Sequence, residues 1–304
     1  MYRKIRGIFK KLEEMEDFTE GLEGAPLYYA VYGGGGGVPF ATCDGVGCAG
    51  YIWKYIIRDF QKTRRILRWH YRGHGRSGRP TSLKRLSIPD QCEDLRAVMD
   101  AANIEKAVLM GHSMGVQVIL EFHRLYPERV AGLIPMCGTY GHILKTFRGA
   151  DFMDKIFPYL NTLVKLYHTK VGEFWHKVLN LPASYEAAKI FEFNTKLIKK
   201  EDLQPYFEHL ANMDVRVFVE ALKGAAEHTA KDHLPNISVP TLVIAAELDG
   251  LTPLSLSKEM HSLIPNSEFL MLPAGSHTAP VELPELVTLR IEKWLSTHFG
   301  EEFG

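Results

Sequence analysis

The sequence predicts an α/β fold, a mostly parallel twisted sheet flanked by helices, with a helical cap inserted into it. Three observations predict it. Short apolar runs alternate with stretches of helical periodicity from Leu27 to Met136, and the alternation resumes from Thr241 to His298. Between them, residues from about Thr139 to Ala230 are rich in aromatics and helix formers and carry few strand signals. One apolar run, Val108 to Met110, stops at Gly111, His112, Ser113, Met114, Gly115 and passes directly into a helical pattern. The expected organisation is a core of residues 1–138 and 231–304 and a helical cap of residues 139–230.

The apolar and aromatic run from Leu27 to Tyr32 is a strand, and Gly33 to Gly37 is a tight, flexible turn before a second strand from Pro39 to Cys43. No Gly-Lys-Ser/Thr follows these glycines, which excludes a phosphate-binding P-loop. Tyr51 to Gln61 has helical periodicity and Ile66 to Tyr71 reads as a strand. Ser87 to Ala102 is a helix, with Pro89 near its start and Leu95, Val98 and Met99 as apolar positions. A strand from Ala107 to Met110, a helix after Ser113 ending near Tyr126 and Pro127, and a strand from Val130 to Met136 follow. The second half adds a strand from Thr241 to Ala246, a helix from Leu254 to Leu263, a strand from Phe269 to Leu272 and a final helix from Leu283 to His298.

Composition sets the function classes. With 46% hydrophobic and 24% charged residues, the 304-residue chain can bury a large core. A formal net charge of zero supplies no global field for nucleic acid, so no nucleic-acid partner is expected. The N-terminus lacks the apolar core and cleavage site of a secretory signal, which predicts a cytoplasmic location. Cys43, Cys48, Cys92 and Cys137 lie in or beside apolar segments without metal-ligand spacing and read as buried thiols, with a Cys43–Cys48 bridge left open. Ile5, Ile8, Phe9 and Leu12 recur at helical spacing among basic residues. They form either a helix packed on the body or frayed in solvent, or a weak peripheral membrane contact.

The chemistry centres on Ser113. A Gly-x-Ser-x-Gly between strand and helix is what a nucleophile elbow needs, because the chain must turn sharply where a side chain would clash. Alone, the same residues fit a serine N-cap. A serine hydroxyl near neutral pH needs a base and a carboxylate orienting that base. Asp249 follows the strand Leu242 to Ala246, and His277 follows the strand Phe269 to Leu272, so acid and base come after the serine in chain order. Taken singly, Asp249 also fits a loop aspartate capping the next helix, and His277 a solvated turn histidine. Glu247 is the runner-up acid.

Residues 22 to 298 resemble the α/β-hydrolase-fold superfamily, specifically its cap-bearing serine esterase, lipase and C–C hydrolase types. The resemblance rests on Arg72 to Gly78 after a strand, the elbow from Gly111 to Gly115, Asp249 with Pro253, and Gly275, Ser276, His277. It implies Ser113, Asp249 and His277 as a catalytic triad and the backbone N–H groups of Val46 and Met114 as an oxyanion hole. Two departures stand out. Asp44-Gly45 occupies the place where the family has His-Gly, and the Asp44 carboxylate is expected to turn away into hydrogen bonds with loop amides. His70 replaces an aspartate and is expected to affect loop packing only.

The predicted function is a serine hydrolase acting on small-molecule carboxylic esters with an apolar acyl or alcohol group, through an acyl-enzyme and with no cofactor or metal. The alternatives are a C–C bond hydrolase or lactonase with the same triad, a haloperoxidase-like or acyl-transfer side activity, and a non-catalytic ligand receptor on this fold.

Overall fold

The computed structural model describes residues 13–145, 152–181, 194 and 197–301. The N-terminal basic helix expected around Ile5 to Leu12 lies outside them. Eight strands form one sheet: β1 (Glu13–Glu20), β2 (Pro26–Tyr32), β3 (Gly37–Cys43), β4 (Arg64–Trp69), β5 (Ala107–His112), β6 (Val130–Met136), β7 (Leu242–Ala246) and β8 (Glu268–Leu272). Their spatial order is β1-β2-β4-β3-β5-β6-β7-β8. The β1–β2 and β2–β4 pairs are antiparallel and the rest parallel. The helices of the core are α1 (Lys54–Phe60), α2 (Ile88–Ala101), α3 (Met114–Leu125), α7 (Leu254–Leu263), α8 (Ala279–Glu282) and α9 (Pro284–Phe299). Between β6 and β7 come α4 (Phe152–Leu179), α5 (Lys200–Asn212) and α6 (Val215–Glu227).

Both faces of the sheet's centre are covered, so β5, β6 and β7 are apolar along their length rather than alternating. Along β2, Leu27, Tyr29 and Val31 point into a layer with Leu95 and Val98 of α2. Tyr28, Ala30 and Tyr32 point the other way, into a layer with Phe60 of α1 and Trp294 of α9. Helix α2 begins where the sequence places it, because Ser87 and Asp90 form a reciprocal capping box.

The strand β1 has no counterpart among the sequence expectations. Its residues are mostly acidic, and Met15 and Phe18 are exposed, so no buried alternation marks it. Tertiary partners create it: seven register pairs join it to β2, and Arg76 Nη1 donates to Glu16 Oε2 at 2.6 Å. The glycine turn is tight for a steric reason. A Cβ on Gly33 would lie 2.0 Å from the Gln61 carbonyl oxygen, and one on Gly35 2.1 Å from the Thr63 backbone.

The chain lays β4 on one side of β3 and then places β5 on the other, making a topological switch at the β3–β5 pair. In open α/β sheets, ligands bind outside the carboxyl ends of the strands at such a point. The insertion leaves and re-enters the core at one place. Its ends meet in a Gly141–Thr229 bridge, with Ala230 N donating to Tyr140 O at 2.8 Å. Helix α5 is tied to the core where Asp202 accepts from Lys54 Nζ at 2.5 Å and from Tyr55 OH at 2.9 Å.

Candidate active site

Strand β5 ends at His112 and α3 begins at Met114, so Ser113 alone makes the turn. Its backbone sits at φ 55°, ψ −118°, a conformation that costs a non-glycine residue about 1–3 kcal/mol. The flanking glycines are obligatory. A Cβ on Gly115 would lie 2.0 Å from the Cys43 carbonyl oxygen, and one on Gly111 2.4 Å from the Gly115 carbonyl oxygen. The motif is therefore a true strand-to-helix elbow, and no side-chain capping bond is made by Ser113.

Asp249 and His277, on the loops after β7 and β8, meet. His277 Nδ1 lies 3.1 Å from Asp249 Oδ1 and 3.0 Å from Oδ2, and both residues are buried. The carboxylate also accepts from Leu251 N at 2.9 Å, Thr252 N at 2.8 Å and Thr252 Oγ1 at 2.7 Å. Burial pushes the Asp249 pKa up, but the adjacent His277 and the Thr252 bonds outweigh it and hold the group below its usual range. Glu247 does not serve this pair. It is exposed, and its Oε2 accepts from Ala274 N at 2.8 Å.

Sequence reasoning missed the groups that hold the His277 loop. His112 Nε2 donates to the His277 carbonyl at 2.9 Å. Burial first, then the neighbouring His277, lowers the His112 pKa to about 3, so this imidazole is neutral. The buried Glu282 carboxylate takes Ser276 N at 2.7 Å and Thr278 Oγ1 at 2.8 Å, bracketing His277 on both sides. Nothing in local sequence marks either residue, because their partners are set by how β5, α8 and the loop converge.

The loop after β3 approaches Ser113 from the other side. A Cβ on Gly45 would lie 3.1 Å from Ser113 Cβ, Val46 lines the same cavity as Ser113, and Met114 opens α3, whose first amides have no intrahelical acceptor. Asp44 turns away from this point, to an indole more than to loop amides: Trp53 Nε1 donates to its Oδ1 at 2.6 Å. Burial raises its pKa to about 7 despite Trp53, Arg68 and the Gly50 amide. Cys43 and Cys48 are buried and not joined in a disulfide. His70 packs inside the following loop, where its Nδ1 accepts from Arg76 N at 3.0 Å. Arg72 is fully buried, its Nε donating to Asp94 Oδ2 at 2.5 Å.

Ser113, His112 and His277 open on a cavity of about 770 Å³ beneath the insertion. Phe157, Phe174, Trp175, Tyr206 and Phe218 line it, whereas Tyr159 faces outward. Phe147, Phe191 and Phe193 fall outside the described residues. Among the described residues lining it, Lys170 is the one Lys, Arg, Asp or Glu. The arrangement offers a hydroxyl on a strained backbone turn, a carboxylate-backed imidazole and an apolar chamber.

The alpha/beta hydrolase fold family matches residues 31–283. A putative carbamate hydrolase of Azorhizobium caulinodans is 24% identical over 262 residues, covering 86% of this chain and 92% of its own length. A putative 2-succinyl-6-hydroxy-2,4-cyclohexadiene-1-carboxylate synthase of Bacillus subtilis is 26% identical over 254 residues, covering 81% of this chain and 85% of its own. The solved enol-lactonase of Burkholderia xenovorans superposes with a TM-score of 0.75 at 17% identity, over 92% of this chain and 100% of that one. With its sheet order, elbow and helical insertion, the chain belongs to the alpha/beta hydrolase fold family and is a hydrolase of that fold.

Proposed function

We propose that the protein is a serine hydrolase that cleaves carboxylic esters carrying an apolar acyl or alcohol group. One observation carries this reading: Ser113 and His277, the latter backed by buried Asp249, open on one almost wholly apolar cavity of about 770 Å³. Ser113 Oγ attacks the acyl carbon while His277 Nε2 takes its proton, and Asp249 keeps Nδ1 protonated and stabilises the imidazolium. The Val46 and Met114 amides receive the developing oxyanion. His277 then protonates the leaving alkoxide as the carbon–oxygen bond breaks, leaving an acyl-serine. Water, deprotonated by the same imidazole, attacks that ester, and the acid leaves as Ser113 regains its proton. The insertion over residues 139–230 acts as the cap that houses the apolar group.

The test is hydrolysis of p-nitrophenyl esters from acetate to palmitate by the wild type and by Ser113→Ala. Turnover lost in the variant, with an optimum at medium or longer chains, supports the reading. No turnover with any ester, and no labelling of Ser113 by a fluorophosphonate, overturns it.

A further inference from the structure

Helix α4 turns an unusual face outward. Tyr159 is 77% exposed, Leu163 46% and Leu166 68%, at four- and three-residue steps along one face up to a kink at Tyr167, and Phe174 is 67% exposed beyond the kink. Exposed apolar side chains in such a row mark an interaction site. Two features identify its partner. Leu163 and Phe174 also line the active-site cavity, as does the exposed Lys170, so the cavity reaches the surface through this face. The helix also carries four lysines against two acids, in a chain of zero formal net charge.

We infer that the outer face of α4 docks on an anionic lipid bilayer, with Tyr159, Leu166 and Phe174 entering the acyl boundary and Lys170 and Lys177 reaching the headgroups. Long lysine side chains can bury their stems and keep their charge at the interface, which suits a mixed face of this kind. A second copy fits less well, because a two-fold contact would pack the lysine-bearing face against itself. Among the described residues no helix is long and apolar enough to cross a membrane, so the contact lies on the surface. It is also distinct from the basic segment before residue 13.

The test is flotation with phosphatidylglycerol or phosphatidylcholine vesicles, which needs no turnover and is therefore independent of the ester reading. The full chain, Tyr159→Glu/Leu166→Glu, Lys170→Glu/Lys177→Glu and a chain lacking residues 1–12 are compared. Melting curves by circular dichroism check that each is folded. Neither Tyr159 nor Leu166 lines the cavity. The full chain and the truncated chain are expected to float with the anionic vesicles, the binding falling with added salt. Both double variants are expected to lose at least about 10-fold in partitioning, as removal of inserted apolar area or of surface cations requires. Failure of the full chain to float, wild-type binding by a folded Tyr159→Glu/Leu166→Glu protein, or loss on truncation alone overturns the proposal. So does a wild-type dimer that becomes monomeric in that variant without any lipid binding, which would assign the face to a second copy.

Discussion

His112 Nε2 donates to the backbone carbonyl of His277 at 2.9 Å, so the residue before the elbow serine holds the loop that carries the imidazole. The bond ties the end of β5 to the turn after β8, two strands that are not neighbours in the sheet. It needs a proton on Nε2, and with the pKa lowered to about 3 the ring above that pH is the neutral tautomer that keeps this proton.

Replacing His112 by Leu should therefore misplace His277 while leaving an apolar side chain of similar size in the chamber wall. We expect kcat to fall about 10- to 100-fold, the loss that a small misplacement of a reacting group produces, with KM nearly unchanged. Steady-state kinetics on a soluble ester check this. A rise in KM with unchanged kcat would show that His112 only shapes the pocket.

Thr252→Val removes the 2.7 Å bond to Asp249 Oδ2 while keeping the side-chain shape. Stability at pH 7 should drop by about 1 kcal/mol. Asp249 titrates below its unfolded value, so its contribution is present above that value and is lost as pH falls through the depressed folded value. Urea midpoints for wild type and variant should differ at pH 7 and converge in acid.

Asp44 has the opposite sign. Its folded pKa of about 7 lies above the ordinary carboxylate value of 3.8, so the folded state binds more protons between those values and stability declines as pH rises through that window. Asp44→Asn should flatten the decline, measured as thermal midpoints at pH 5 and pH 8. On the proposed mechanism, the same variant should hold its ester-cleavage rate better above pH 7, where an ionised Asp44 would oppose negative charge developing at the Val46 amide.

Gly115→Ala and Gly36→Ala form a paired test of where glycine is required. A Cβ at Gly115 would meet the Cys43 carbonyl oxygen at 2.0 Å, whereas one at Gly36 meets nothing within 4 Å. The first should yield little folded protein. The second should change stability by no more than about 1 kcal/mol. Equal expression and melting of the two would contradict the elbow geometry.

Much of this was legible locally. The helix at Ser87 is announced by its capping box, the strands around Val108 and Leu242 by apolar runs between turn residues, and the elbow by two glycines spaced around Ser113. Asp249 and His277 were candidates because each follows a strand and the two come in order after the serine, and the structure brings them together. The acidic strand Glu13–Glu20 was not legible, since pairing to β2 rather than its own pattern makes it extended.

By itself, the sequence determined the α/β class and singled out Ser113, Asp249 and His277 as candidates, because periodicity, turn chemistry and chain order are properties of neighbouring residues. Only the tertiary structure decided that β4 lies between β2 and β3, that Asp44 turns to Trp53, that Glu247 stands outside the site, and that His112 and Glu282 hold the His277 loop. It also decided which apolar residues of α4 face outward. Each of these depends on side chains far apart in the chain, whose approach is set by packing against the sheet.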